Sequence, residues 1–247
     1  MRKLVFLISF MFCAWLSFSH AQTTFNKVYD RNDGVEGADN VVELDNSYLI
    51  LGDGYEYLET NRWGGLRIVN IDFSGNIIWE KVYGKSGQIW LTIPRGVTEY
   101  NNHFYLSGFI YDSIKDDYDA LLMKFDMQGD TIWKKEYGGN RIDGFYAIKE
   151  INEKIYLTGV NYNKGDIAGD VYVVKTDSTG NIEWDTTYGG AGVLDEGYSI
   201  DYTAEGNLII GAGSAQFSPK PYSPWVIAID TTGGYTMAKA IWHPNRV

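Results

Sequence analysis

Asp72-Phe-Ser-Gly75-Asn-Ile-Ile-Trp79-Glu-Lys-Val-Tyr83-Gly84 decides the fold, because the chain writes it more than once. It returns as Asp126-Met-Gln-Gly129-Asp-Thr-Ile-Trp133-Lys-Lys-Glu-Tyr137-Gly138 and as Asp177-Ser-Thr-Gly180-Asn-Ile-Glu-Trp184-Asp-Thr-Thr-Tyr188-Gly189. A fourth copy opens at Asp230-Thr-Thr-Gly233 and then decays, with Met237 in the tryptophan's place. The four aspartates lie 54, 51 and 53 residues apart. A second marker keeps step with the first. An apolar run ends in glycine at Gly52, Gly108, Gly159 and Gly211, at intervals of 56, 51 and 52 residues. Two markers on one period define a tandem repeat.

Period-2 patterning and turn residues divide each unit into four short strands, A to D. In the third unit these are about Tyr146–Glu150, Lys154–Thr158, Val171–Thr176 and Ile182–Tyr188, with turns at Asn152-Glu153 and Asp177–Gly180. Strand C is nearly all apolar (Leu66–Ile71, Ala120–Phe125, Trp225–Ile229), as a strand buried on both faces would be. Strand D carries a Trp and a Tyr four residues apart, hence on one face: Trp79 with Tyr83, Trp133 with Tyr137, Trp184 with Tyr188. No helical period follows the first twenty-one residues. The expected architecture is all-β, a β-propeller of about four four-stranded blades at residues 36–84, 92–138, 143–189 and 195–242. The repeated Trp is the expected wedge between blades; full burial of such a ring is worth at most about 4–6 kcal/mol. Phe25-Asn-Lys-Val-Tyr29 matches Trp79-Glu-Lys-Val-Tyr83, so residues 25–29 read as an orphan outer strand. It is expected to close the ring in the last blade, the alternative being an incomplete ring within a longer array.

The pattern Asp-x-x-Gly-x-x-x-Trp-x-x-x-Tyr-Gly-Gly, with an acid and an aromatic leading into strand A, resembles the repeats of secreted bacterial propeller proteins common in Bacteroidota. The likeness spans residues 22–247 and implies an extracellular or cell-surface protein. Those proteins often end in a type IX sorting domain, and none is legible here. The repeat is also distantly similar to the tryptophan-docking propellers of quinoprotein dehydrogenases. That resemblance implies fold only, because a chain with one cysteine lacks those enzymes' vicinal pair.

Arg2 and Lys3, the apolar run Leu4–Phe18 and the small-x-small Ser19-His20-Ala21 read as a secretory signal peptide cleaved after residue 21. The run is short for a spanning helix, so no transmembrane span is expected after cleavage. Lipidation at Cys13 is a competing reading, opposed by Phe12 where a small residue is wanted. Cleavage removes two of 21 cations and no acid, leaving 19 against 32 and a net charge near −13. Such a surface repels phosphate backbones, so no nucleic-acid partner is expected. It also removes the only cysteine, which excludes disulfides and thiolate metal sites.

Loop lengths point to one face. The A–B turns are tight (Asp45-Asn46, Asn101-Asn102, Asn152-Glu153, Glu205-Gly206), whereas the B–C connections Asp53–Gly65, Phe109–Asp117, Val160–Asp170 and Ala212–Ser223 are long. In an antiparallel meander the B–C and D–A loops share one rim, and long loops on a rigid scaffold are where binding usually resides. They carry Tyr55, Tyr57, Trp63, Tyr111, Tyr162, Phe217 and Tyr222, rings suited to stacking on sugars or anchoring a protein. The alternative is that they fold back over the loop bases. Sixteen residues before each strand-B glycine stand Glu36, Thr92, Asp143 and Asp195. Around a closed ring the three acids would line the channel mouth, as oxygen ligands for calcium or a cationic ligand. The competing reading has each acid accepting N–H bonds of its own turn. Asp30–Asp33 and Asp116–Asp119 are acid clusters of the same ambiguity.

No other cofactor is expected. Only His103 and His243 survive cleavage, so neither a Ser-His-Asp triad nor a multi-histidine zinc site can be assembled. The expected function is a secreted, non-catalytic scaffold binding a carbohydrate or protein partner through its loop-rich face. The alternatives are a glycan-active hydrolase or lyase working with two carboxylates, and a structural array module of a cell-surface protein.

Overall fold

A computed structural model describes residues 25–29, 35–58, 61–83, 92–112, 115–217 and 222–240. The signal-peptide reading of residues 1–21, the acids Asp30–Asp33 and His243 lie outside them. The described residues hold no helix, and sixteen strands form four antiparallel sheets. The first comprises β1 (Val35–Glu43), β2 (Ser47–Leu58), β3 (Asn61–Asp72) and β4 (Ile77–Tyr83). The second comprises β5 (Thr92–Tyr100), β6 (His103–Asp112), β7 (Asp117–Asp126) and β8 (Thr131–Tyr137). The third comprises β9 (Asp143–Ile151), β10 (Lys154–Asn161), β11 (Asp170–Thr176) and β12 (Ile182–Tyr188). The fourth comprises β13 (Asp195–Tyr202), β14 (Leu208–Ser214), β15 (Ser223–Ile229) and β16 (Tyr235–Ala240). Every sheet is a simple meander, one repeat per sheet.

Successive sheets pack face to face and the four first strands lie innermost, β1 against β5, β5 against β9, β9 against β13. This is a propeller-like succession, and no closed ring is seen among the described residues. Three apolar clusters form the core. One joins Leu51, Ile68 and Leu66 to Phe104, Leu121 and Phe125 across the first two sheets. The second joins Tyr105 and Leu122 to Phe145, Leu157 and Val174, and the third joins Val171 and Val173 to Ile210, Trp225 and Ile227.

The repeated motif forms the contact between sheets. Each C–D turn is held by its aspartate: Asp177 Oδ1 accepts the N–H groups of Thr179 and Asn181, as Asp126 does from Gln128 and Asp130. The turn glycine adopts φ near +80° (Gly75 77°, Gly129 81°, Gly180 76°, Gly233 87°), which a side chain would oppose. It also lies against the preceding sheet's tryptophan. A methyl group added to Gly129 would fall 2.7 Å from Trp79, and one added to Gly180 2.9 Å from Trp133. Beside Trp133 and Trp184 a tyrosine hydroxyl donates to the same turn, Tyr137 to Gly180 O at 2.7 Å and Tyr188 to Gly233 O at 2.7 Å. The Tyr83 hydroxyl beside Trp79 is instead buried with no partner in hydrogen-bond geometry among the described residues.

Phe25–Tyr29 repeats that geometry on the first sheet. Tyr29 donates to Gly75 O at 2.9 Å, and Lys27 Nζ reaches Asn76 Oδ1 at 2.8 Å, as Lys135 reaches Asn181 at 2.6 Å. The orphan segment therefore takes the seat of a preceding sheet's outer strand. It does not join the last sheet, whose edge on β15 is already filled by β16, from Trp225↔Ala240 to Ile229↔Tyr235. The decayed sequence still forms that strand, because ladder bonds belong to the backbone.

Two long loops expected on the loop-rich rim are strands. β2 and β3 stay paired out to Leu58↔Asn61, and β6 and β7 to Asp112↔Asp117. Conversely, the fourth A–B turn is one residue longer than the others: Thr203 N–H bonds Asn207 O, with Gly206 at φ 90°. Ala212, not Gly211, therefore stands in ladder register with Gly52, Gly108 and Gly159.

Candidate functional site

Each innermost strand carries a β-bulge at the same place. Pairing skips one residue between Ala38 and Asn40, Pro94 and Gly96, Phe145 and Ala147, and Gly197 and Ser199. The skipped residues are Asp39, Arg95, Tyr146 and Tyr198. A bulge leaves its extra residue out of the ladder and re-aims the side chain. Because the four strands adjoin, the four side chains form one row along the inner wall. Arg95 Nη1 lies 3.7 Å from Asp39 Oδ1, and the Tyr146 and Tyr198 rings are 5.1 Å apart. Phe109 extends the aromatic part, edge-on to Tyr146 at 5.1 Å.

Glu196 anchors the aromatic end. Its Oε1 accepts the Tyr146 hydroxyl at 3.0 Å, and its Oε2 accepts those of Tyr198 at 2.6 Å and Tyr222 at 3.0 Å. The Tyr198 and Tyr222 hydroxyls also meet at 2.9 Å. All three phenols are held above their ordinary pKa, first by burial and then by hydrogen bonding and proximity to the Glu196 carboxylate. They stay protonated and act as donors. The rings are not sealed in: Tyr198 is 45% exposed and Tyr222 41%. The arrangement offers flat apolar faces beside a carboxylate of fixed position.

Of the residues singled out in the sequence, Tyr222 belongs to this cluster. Tyr162 is half-buried and packs on Gly169, where a methyl group would fall 2.8 Å from its ring. With Lys115, Asp116, Asp117, Asn140, Arg141 and Ile142 it lines an open cleft of about 340 Å³ between the second and third sheets, on the loop-rich rim. Tyr111 borders that rim, its hydroxyl on Asp116 and its ring 5.3 Å from Tyr118. Tyr55 and Tyr57 fall in β2 and Trp63 in β3, on the extended arm, and their side chains lie outside what is described. Among the described residues, Tyr111 and Tyr162 lie by the cleft and Tyr222 in the Glu196 cluster.

Asp143 and Asp195 do not line an open channel mouth; both are fully buried. Asp143 accepts the N–H of Gly139 at 2.9 Å and of Tyr162 at 3.2 Å, and Asp195 that of Gly190 at 2.7 Å. Burial raises both pKa values, that of Asp143 to about 6. The Glu36 side chain lies outside what is described. Among the described residues no three Asp, Glu, His or Cys side chains gather to hold a metal ion. His103 opens β6 on the tight-turn rim, its Nδ1 2.7 Å from Asn101 O.

No protein-family model and no curated protein matches the chain. Among solved structures it is similar to an apocarotenoid oxygenase of Synechocystis at 12% identity and a TM-score of 0.44, over 79% of this chain and 47% of that one. A chimera of the oxygenase with RPE65 aligns at 12% identity and a TM-score of 0.44, over 86% and 53%. The GH43 endo-arabinanase of Bacillus licheniformis aligns at 12% identity and a TM-score of 0.42, over 80% and 75%. The chain thus spans about half the length of the oxygenase. Likenesses this distant carry no argument. No helix among the described residues is long and apolar enough to cross a membrane.

Proposed function

We propose that this chain is an exported, non-catalytic binding module of propeller type that takes a carbohydrate chain against its tyrosine row. One observation carries the reading: Tyr146, Tyr198 and Tyr222 converge on Glu196 while two of the rings remain open to solvent. Pyranose rings present C–H faces that pack on aromatic faces and hydroxyls that pair with carboxylates and phenols, which is what this cluster offers. Hydrogen bonding fixes the rings in advance, so little side-chain entropy is lost on binding. Both Glu196 oxygens are engaged by phenols, which favours a positioning role over acid–base chemistry. The acidic surface and the signal-peptide reading support export.

The test is a glycan array probed with wild type, Tyr198→Ala and Tyr222→Ala. Each variant is expected to lose tenfold or more in affinity for the glycan that wild type retains, about 1.4 kcal/mol or more. Undiminished binding in both would remove the site. A wild type that retains no glycan but captures a surface protein would move the reading to a protein partner, and release of reducing ends from a polysaccharide would move it to the hydrolase.

A second reading rests on Phe25–Tyr29, which occupies the outer-strand seat on the first sheet without a ladder partner of its own. That placement is what one unit of a longer array would show, and such a unit need not exclude the glycan site.

A further inference from the structure

The second and third sheets, and the third and fourth, meet through equivalent pairs of buried acids. Asp119 of β7 faces Asp143 of β9 across Gly138: a methyl group there would fall 2.3 Å from Asp119 Oδ1 and 2.8 Å from Asp143 Oδ2. Asp170 of β11 faces Asp195 of β13 across Gly189 in the same way, at 2.0 Å from Asp170 Oδ1 and 2.8 Å from Asp195 Oδ2. All four are more than nine-tenths buried. Ladder register puts Gly65 and Thr92 at these places between the first two sheets, so that junction lacks both acids.

The two pairs differ in their partners: Asp143 accepts the Tyr162 N–H on Oδ1 and the Asn163 amide on Oδ2, while Asp119 Oδ1, like the Oδ1 atoms of the second pair, has none among the described residues. At the first, Lys115 Nζ sits 2.6 Å from Asp119 Oδ2 and supplies a cation. The residue four before Asp170 is Asp166, which turns its carboxylate to the N–H groups of Ala168 and Gly192 at 2.9 and 2.8 Å. Among the described residues no ammonium or guanidinium is bonded to Asp170 or Asp195. Each receives an N–H on Oδ2, from Asp166 and Gly190 respectively, and the Ser214 hydroxyl and Ala215 N–H also approach Asp195, while neither Oδ1 has a partner in hydrogen-bond geometry. Gly165 and Gly189 let the backbone pack closely on the Asp170 carboxylate without covering it with a side chain: a methyl group on Gly165 would fall 2.0 Å from Oδ2 and 2.7 Å from Thr187 Oγ1. A buried carboxylate with unmatched lone pairs is costly unless a cation or a proton meets it.

We propose that the junction of the third and fourth sheets is a calcium site, with Asp170 and Asp195 as its carboxylate ligands, taking the place that Lys115 fills one repeat earlier. Two hard anionic ligands suit a divalent ion of this kind, whose remaining positions backbone carbonyls and water can occupy. The ion would pin β11 to β13 and so fix one sheet against the next. Asp195 directly precedes Glu196 on β13, so the two side chains leave opposite faces of the strand, and the proposal does not depend on the tyrosine row.

The test uses the full secreted chain, stripped with chelator and re-titrated with calcium at neutral pH. A rise in melting temperature of about 5 °C is expected when calcium exceeds its Kd a hundredfold, with terbium luminescence displaced by calcium as a direct binding signal. Asp170→Asn and Asp195→Asn should lose both responses, and Asp119→Asn should keep them. Asp166→Lys, which writes the earlier repeat's lysine into this one, should lose the response while melting higher than stripped wild type. A stripped wild type that neither shifts with calcium nor binds terbium would overturn the proposal, as would a calcium response that survives in Asp170→Asn. Stabilisation of stripped wild type by mild acid that is lost in Asp170→Asn but kept in Asp119→Asn would assign the seat to a shared proton instead.

Discussion

Trp133→Ala is expected to lower the unfolding free energy by about 3 kcal/mol, the lower end of the range for removing a large aromatic, because the ring is half-buried. The ring packs with the cluster of Tyr105, Leu122 and Phe145, edge-on to Tyr105 at 6.0 Å, and lies over Gly180 of the next sheet. Its loss uncovers the Asp177–Asn181 turn and the Tyr137 hydroxyl bond to Gly180 O, so the second sheet loosens from the third. Met237, in the equivalent place on β16, is 46% exposed, and Met237→Ala should change stability by no more than about 0.5 kcal/mol. Urea unfolding followed by far-ultraviolet circular dichroism measures both. Equal effects at the two positions would mean that the repeated ring is not what joins the sheets.

The contrast between those positions shows what the sequence could disclose. The outer strands and their turns were legible because each repeat solves the same problem with the same residues. An aspartate ties the turn, a glycine reaches φ near +80°, and a ring covers it. Identity at a fixed interval reveals such a solution. The inner row hides from that method. Asp39, Arg95, Tyr146 and Tyr198 share a backbone device and no side chain, so comparing repeats by residue passes over them. One signal was available: a glycine stands within two residues of each, at Gly37, Gly96, Gly144 and Gly197, and an isolated strand glycine marks a bulge. Glu196 left no trace of its role, because its three partners come from β9, β13 and the β14–β15 connection and meet only in space. The expected pairing of residues 25–29 in the last sheet is not seen among the described residues, for a related reason. The match of Phe25–Tyr29 to an outer strand was real, but side-chain identity does not say whether a backbone edge is already taken.

Stability should rise, not fall, when the protein is taken from neutral to mildly acidic pH. Asp143 is fully buried, and burial, aided by the nearby Asp119 carboxylate, pushes its pKa from 3.8 to about 6 against the pull of its hydrogen bonds. A folded-state pKa above the unfolded one means that the native state keeps a proton the unfolded chain has already released. The associated stability is present in full below about pH 4 and is lost as pH rises through 6, to a total of about 3 kcal/mol. The turn aspartates oppose it. Asp177 is lowered to about 2, where burial is outweighed by bonds from the Thr179 hydroxyl and from Asn181, and Asp72 and Asp230 are lowered in the same manner. Their contribution is present above pH 4 and lost as pH falls toward 2, so the melting temperature should peak at about pH 4–5. Asp119→Asn separates the causes. Its amide would face Asp143 Oδ2 across Gly138 while its carbonyl keeps Lys115, replacing an acid–acid opposition with a hydrogen bond. That variant should melt higher than wild type at pH 7 and show a flatter slope between about pH 4.5 and 7. A wild-type melting temperature that climbs across that interval, or a variant with the wild-type slope, would rule out the buried pair as the source.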